Sequence, residues 1–409
     1  MERLEYIREK INRFGQGHLL SFYNVLMPKE KEALINQINE IDFEEIEVAS
    51  SQLSIPSNNS KREILPIEYE SVLSLSDSKR NMYEEHGLKL LKEKKVAVVL
   101  IAGGQGTRLG HDGPKGTVSI GVASNQSLFA LQAERLRKIE EKTKSIIPWY
   151  IMTSPINELE TKKFFKENDY FNCNPQQIFF FKQDLIPTLT PNGKIILESK
   201  SKISMSPNGN GGVFAAMKSS GILKDLKMKG IKWVFFNNID NALVQVADPL
   251  FIGFADLKGA EVSSKSVKKR EPGEKVGVFC LSEGKPSVIE YSEMSKEESE
   301  GEKFTNANIG IHLFQLSFLE KTMDVKLPYH FAHKVIPSVN EIGQTIKIIK
   351  PNGYKLEKFY FDIFQYAESM SVLQVVRENE FAPVKNRIGL DSLESARKMI
   401  LQNDKRDIF

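Results

Sequence analysis

The chain has 409 residues, of which 27% are charged; their signs nearly cancel to a net charge of +3, and there are two cysteines. That length allows two or three domains with a sizeable core, and the balanced charge argues against a nucleic-acid or membrane surface as partner. No apolar run approaches the roughly 18 residues of a membrane span, and the start, MERLEYIREK, has no apolar stretch of signal length, so a cytoplasmic protein is expected, with Cys173 and Cys280 as free thiols.

Residues 2–41 carry apolar positions at helical spacing, and Pro28 opens a helix on which Leu34, Ile35 and Ile38 share a face. Residues 50–66 turn polar and irregular, as in a surface loop or tether. A helix over 77–93 leads to Val96–Ile101, an apolar strand of the kind buried on both faces in a parallel sheet. Helix 127–141, strand 147–152, helix 156–168, strand 177–181, helix 211–228 and strand 232–237 then alternate. This βαβ pattern predicts a parallel sheet covered by helices on both faces. Beyond Ala260, EVSSKSVKK, VGVFCL and PSVIEY read as short antiparallel strands laid over one side of a site, and SEMSKEESEGEK as a solvated charged loop. The segments group into a helical N-terminal region (1–95), a central α/β domain (96–370) and a small C-terminal domain (371–409).

The Val96–Ile101 strand runs directly into AGGQGTRLGHDGPKG, Ala102–Gly116. Such a loop sits at the carboxyl edge of the sheet, where open α/β sheets bind ligands, and glycines there let backbone N–H groups approach phosphate oxygens. Gly103, Gly104, Gly106 and Gly110 fit that need, but the spacing G-x-G-x-x-x-G is one residue too long for the dinucleotide fingerprint. A Walker A loop is also excluded, because Lys115 is followed by Gly116 rather than Ser or Thr. What remains is a glycine loop with Arg108 and Lys115, two cations able to converge on a triphosphate.

Three further patterns carry chemistry. Asp240 follows strand 232–237 at the same edge, where a carboxylate can hold Mg²⁺, although the position reads equally as a turn or helix cap. Asp362, in FYFDIF after another apolar stretch, can supply a second carboxylate, with turn chemistry as the simpler reading. In SPNGNGG (206–212) the glycines allow close backbone approach and the asparagine amides offer donor and acceptor, though alone it reads as an Asn-Gly turn. His330 and His333 lack a third ligand at zinc-site spacing.

IAGGQGTRLG followed by GPKG resembles the signature of the eukaryotic-type UDP-sugar pyrophosphorylases, with the N-acetylglucosamine branch most similar. Further segments recur in that family's order: MTS (152–154), FKQ ending at Gln183, SPNGNGG, IDN (239–241), ADPLFIGF (247–254), EYSE (290–293), NANIGIH (306–312), KLEKFYFDIF (355–364) and ENEFAPVKN (378–386). The resemblance spans residues 90–390. It implies an α/β fold with a Rossmann-like, mixed but mainly parallel sheet of the GT-A-like nucleotidyltransferase kind. It also implies transfer of a uridylyl group from UTP to a sugar 1-phosphate, giving a UDP-sugar and pyrophosphate, with Mg²⁺ as cofactor.

By the same resemblance, Arg108, Lys115 and Lys385 are catalytic cations, Lys385 meeting the sugar phosphate. Ala102, Gly103, Gly104, Gly106, Thr107, Gln183, Gly209, Asp240 and Lys355 bind the nucleotide, Gln183 at the uracil edge and Lys355 at the phosphates. Asn210, Glu290, Tyr291 and Asn308 frame the sugar, and Asp240 with Asp362 holds the metal. A monomer or weak homo-oligomer is expected. Two departures bear on the sugar: the family's NAGN appears here as Asn306-Ala307-Asn308, and the region after Asn386 is short. Glucose 1-phosphate, or a broader range of hexose phosphates, therefore stays open as substrate, as does a non-catalytic regulator that binds a nucleotide sugar.

Overall fold

A run of six apolar residues cannot lie at a sheet surface without exposing one face, and Val96–Ile101 lies in the middle of one. The computed structural model describes residues 2–53, 63–121 and 126–406. Two compact units emerge from it: Met1–Lys61 with Asp184–Gly212 and Leu327–Tyr360, and Arg62–Gln183 with Val213–Lys326 and Phe361–Phe409.

The second unit is built on a large sheet. Besides Ile64–Pro66 at its margin, its strands in chain order are β1 (Glu70–Ser71), β2 (Val96–Ile101), β3 (Trp149–Thr153), β4 (Ile178–Lys182), β5 (Trp233–Asn238), β6 (Val262–Lys268), β7 (Val278–Ser282), β8 (Lys285–Ile289), β9 (Asn306–Gln315) and β10 (Met370–Val375). They lie in the order β1-β10-β6-β9-β5-β2-β3-β4, parallel throughout except that β9 runs antiparallel to β5 and β6. The mixed, mainly parallel α/β sheet expected from the sequence is thus present. Helices Asp77–Lys92, Leu128–Thr143 and Glu158–Glu167 fall close to their predicted places, and Pro249–Lys258 is a further helix that the sequence reading did not name.

Three expectations change. EVSSKSVKK is not a strand laid over the site: β6 is buried in the main sheet and parallel to β10. Only β7 and β8 form the predicted antiparallel hairpin. The helix expected over 211–228 is two, Val213–Ser219 and Ile222–Met228, broken where Gly221 takes φ +72°. The charged loop holds a short helix, Lys296–Glu300, started by a capping box between Ser295 and Glu298.

In the first unit, helix Pro28–Glu40 buries Leu34, Ile35 and Ile38 as the spacing predicts. With helices Glu2–Arg13 and Phe43–Leu53 it shares a core with Ile186, Leu189, Ile195, Leu197, Ile203 and Leu356. Gln16 is buried there and donates to Gly193 O (3.0 Å) while accepting from Ile195 N (3.0 Å). Short antiparallel pairs complete it, including Leu185–Pro187 with Met205–Pro207 and His330–Lys334 with Gly353–Glu357. Of the irregular segment expected over 50–66, residues 50–53 are helical and Ile64–Pro66 is a strand; 54–62 lie outside the described residues.

Cys173 and Cys280 are buried, and burial pushes the Cys173 thiol up to about 12. Among the described residues no helix is long and apolar enough to cross a membrane. On β9, His312 is fully buried beside Ser264 Oγ (2.6 Å), and burial lowers its pKa from 6.5 to about 3. The folded state therefore favours the neutral imidazole. Its contribution is complete above the unfolded value near 6.5 and is lost as pH falls from there toward 3. Denaturation midpoints measured at pH 7 and pH 5 are expected to fall less in His312→Gln than in the native chain; identical pH dependences would contradict this.

Candidate active site

Four parallel strands end together. Register places Ile101 beside Asn238 and Met152, and Thr153 beside Lys182, so the residues that follow, Ala102, Ser154, Gln183 and Ile239, gather at one carboxyl edge. The glycine loop folds back on itself there. Gly106 N donates to Gly113 O (2.9 Å) and Lys115 N to Gly104 O (3.0 Å).

Close approach explains the first glycine: a Cβ on Gly103 would lie 2.4 Å from Gln183 Nε2, so the amide predicted to read the base is laid across the loop. Gly104 is exposed and a Cβ there would meet nothing within 4 Å, so its backbone faces open space where a phosphate can approach. Thr107 and Arg108 begin a short helical turn and are exposed.

Lys115 is mostly buried, and its Nζ lies 3.7 Å from Asp240 Oδ2. The cation after the Gly-Pro turn and the carboxylate after β5 thus face each other across the edge. A single carboxylate suits Mg²⁺, a hard ion that completes its shell with phosphate oxygens and water. Among the described residues no group of three or more His, Cys, Asp or Glu forms an all-protein cage. Asp362 lies in the helical turn Tyr360–Tyr366 rather than directly after a strand.

Lys385 is brought to the same edge by backbone pairing. Ala242 N donates to Ala382 O (3.0 Å) and Val384 N to Asp240 O (2.8 Å), so Lys385 follows immediately. In the sugar-side group, Asn308 N donates to Gly277 O (2.8 Å), and a Cβ on Gly277 would lie 2.7 Å from Glu290 Oε1. Asn308 and Glu290 are therefore neighbours, with Tyr291 exposed beside Glu290. Continuing the β5–β9 register beyond Asn237 and Ile311 carries Asn308 to the edge that holds Asp240.

The first unit carries Gly209, Asn210 and Lys355. Gly209 has φ +84°, and the turn clasps the Lys358 backbone: Lys358 N donates to Asn208 O (2.8 Å) and Gly211 N to Lys358 O (2.8 Å). Asn210 Oδ1 accepts from Tyr360 N (3.0 Å). Lys355 is on the strand that ends in this clasp, opposite Ala332. His330 and His333 lie on the partner strand, His330 tilted against Phe359 and His333 stacked on Tyr354.

Two residues at the glycine loop escaped the sequence reading. Asn157, fully buried, donates to Ala102 O (3.1 Å) and Gly104 O (3.2 Å) and accepts from Ser154 N (2.8 Å), tying loop and MTS segment together. Nothing in the sequence singles it out: it stands just before helix Glu158–Glu167, where asparagine is a common residue. Asn157→Ala is expected to lower stability by about 1–3 kcal/mol, because buried carbonyls and an N–H lose their partner; an unchanged denaturation midpoint would contradict this. Arg387 lies against the loop as a further cation, its Nη1 3.6 Å from where a Gly110 Cβ would be.

A mainly parallel sheet whose carboxyl edge carries a glycine loop, facing cations and one carboxylate is the framework of a nucleotide-binding α/β protein. The chain belongs to the UTP-glucose-1-phosphate uridylyltransferase family, which it matches over residues 43–403. It is 40% identical over 422 residues to human UDP-N-acetylhexosamine pyrophosphorylase-like protein 1, a match covering 97% of this chain and 83% of the relative. With UDP-N-acetylglucosamine pyrophosphorylase of Saccharomyces cerevisiae it shares 37% identity over 418 residues, covering 95% and 87% of the two chains. The crystal structure of uridine diphosphate N-acetylglucosamine pyrophosphorylase from Trypanosoma brucei in complex with inhibitor superposes with a TM-score of 0.85 at 31% identity, covering 99% of this chain and 85% of that one. The sequence resemblance and the fold it implied are both borne out.

Proposed function

We propose that the protein is a uridylyltransferase that forms a UDP-sugar and pyrophosphate from UTP and a sugar 1-phosphate, with N-acetylglucosamine 1-phosphate as the preferred sugar. The observation that carries this reading is the glycine loop with Lys115 and Asp240 facing each other at the carboxyl edge. The choice of sugar rests on the names of the yeast and trypanosome relatives.

Charge dictates the mechanism. The phosphate of a sugar 1-phosphate is already a dianion near neutral pH, so its oxygen attacks the α-phosphorus of UTP without a general base. A new P–O bond forms, the α–β anhydride breaks, and its electrons leave with pyrophosphate. Repulsion between anions is the barrier, so the work is positioning and charge neutralisation. Backbone N–H groups of the Gly103–Thr107 loop bind phosphate oxygens, Arg108 and Lys115 neutralise the triphosphate, and Lys385 draws in the sugar phosphate. Gln183 reads the uracil edge, while Asn308, Glu290 and Tyr291 hold sugar hydroxyl and acetamido groups. Gly209, Asn210 and Lys355 keep the nucleotide and sugar roles that the resemblance gives them. Asp240 and Asp362 would hold Mg²⁺, which when bound would supply further neutralisation of phosphate charge.

The sugar assignment is tested by steady-state kinetics with each sugar phosphate offered separately. N-acetylglucosamine 1-phosphate is expected to exceed glucose 1-phosphate in kcat/KM by about 10-fold or more, the scale of one pocket contact. Equal or reversed values would move the assignment to a glucose or broad-specificity enzyme.

A further inference from the structure

Lys265 is fully buried in the middle of β6, yet the proposed chemistry gives it no role. Its Nζ donates to Asp248 Oδ2 (2.7 Å) and to the Glu380 carboxylate. Asp248 uses its other oxygen to cap helix Pro249–Lys258 through Leu250 N (3.1 Å). Glu380 closes the short helix Arg377–Glu380, whose other end is also fastened to β6: Arg377 donates to Lys268 O (3.2 Å) and to Glu274 Oε2 (2.8 Å). One strand thus holds the helix at both ends.

From there the contacts run to the edge that carries Asp240 and Lys385. Glu380 O accepts from Asn241 Nδ2 (2.7 Å), and Asn241 Oδ1 accepts from Ala382 N (3.0 Å) and Leu243 N (3.1 Å). Val384 N is bonded to Asp240 O, and Lys385 is the next residue. Arg135 reinforces the other strand of this lacing by donating to Ala242 O (2.7 Å) and Val244 O (3.1 Å).

Well-packed apolar side chains stabilise a core as well as a buried ion pair does, so stability alone does not account for an ammonium here. An ion pair does differ in directionality, since it admits one arrangement of its partners. We propose that Lys265 is a positioning residue: through Glu380 and Asn241 it sets where Lys385 stands relative to Asp240. The inference rests on the reading of Lys385 as the cation that receives the sugar phosphate.

The test is a double-mutant cycle of Lys265→Met and Lys385→Ala on the full chain, with hydrogen exchange as a second readout. Lys265→Met is expected to lower kcat/KM for the sugar 1-phosphate by about 10- to 100-fold, as a small misplacement of a charged group does, and to leave the KM for UTP within about twofold. Added to Lys385→Ala, it should cost less than about twofold more, because its effect passes through a side chain already removed. Full multiplication of the two losses, or an equal rise in the KM for UTP, would overturn the proposal.

Hydrogen exchange does not depend on turnover. Lys265→Met should speed exchange in peptides covering 380–385 and 240–243 while Val96–Ile101 stays protected; unchanged exchange there would overturn the proposal even if the native chain proved inactive. If Lys265→Met does not fold, Glu380→Gln, which keeps the shape and loses the charge, carries the same cycle and the same exchange measurement. Absence of pyrophosphate release by the native chain, with exchange changed as expected, would instead fault the proposed reaction and leave the Lys265 clasp standing.

Discussion

Lys115→Ala is expected to lower the rate of pyrophosphate formation by on the order of 100-fold or more, comparable to the loss of one preorganised oxyanion donor. The lysine is held in place before substrate arrives: its N–H is bonded to Gly104 O, the following residues turn through a short helix, and its ammonium lies 3.7 Å from Asp240. Under the proposed mechanism, truncation would remove a cation where phosphates converge and leave the Asp240 carboxylate to repel them. Arginine is not expected to restore the rate, because a planar guanidinium is larger and presents its donors in a different geometry. Stability should change little, since Lys115 and Asp240 both keep some solvent exposure and such pairs contribute modestly. A variant with near-native turnover and an unaltered denaturation curve would remove Lys115 from the proposed machinery.

Gly209→Ala is expected to destabilise the fold by on the order of 2–5 kcal/mol, combining a left-handed backbone with overpacking. A Cβ at Gly209, where φ is +84°, would lie 2.4 Å from Lys358 O and 2.7 Å from Lys358 N. Neither atom can yield by a rotamer change, because Lys358 N and O are the groups bonded to Asn208 O and Gly211 N. Relief requires the turn to open, and Asn210, bonded to Tyr360 N, would move with it. Urea denaturation measures the effect directly. A variant as stable as the native chain would show that the Asn-Gly turn is not held as described.

What the sequence made legible follows from how local the determining physics is. Val96–Ile101, the glycine loop and helix Pro28–Glu40 each declare themselves within a few residues, through an apolar run, a turn composition or a helical spacing. Strand β6 did not. Its SSKS core reads as exposed, and it is buried only because distant partners satisfy it: Ser371 for Ser263, His312 for Ser264, Asn306 for Ser266, and Asp248 with Glu380 for Lys265. Residues 184–205 received no element because strands of two or three residues show no period, and their apolar side chains find cover in the N-terminal helices.

The candidate site divides in the same way. The loop cations and the aspartate at the end of β5 are visible as residue types next to strands, whereas Asn157, Asn241 and Lys265 acquire meaning only from what the fold brings to them. Lys385 sits in between. Its motif is readable, but its place beside Asp240 depends on pairing between segments about 140 residues apart.

The central claim is that this edge transfers a uridylyl group, and pyrophosphate release tests it most directly. The native chain is supplied with UTP, Mg²⁺ and N-acetylglucosamine 1-phosphate, with Lys115→Ala alongside. Pyrophosphate is expected to appear in equal amount to UDP-N-acetylglucosamine, and to fall by on the order of 100-fold in the variant. UTP binding without pyrophosphate release, whether N-acetylglucosamine, glucose or galactose 1-phosphate is offered, would contradict the account and favour a nucleotide-sugar-binding protein that does not turn over.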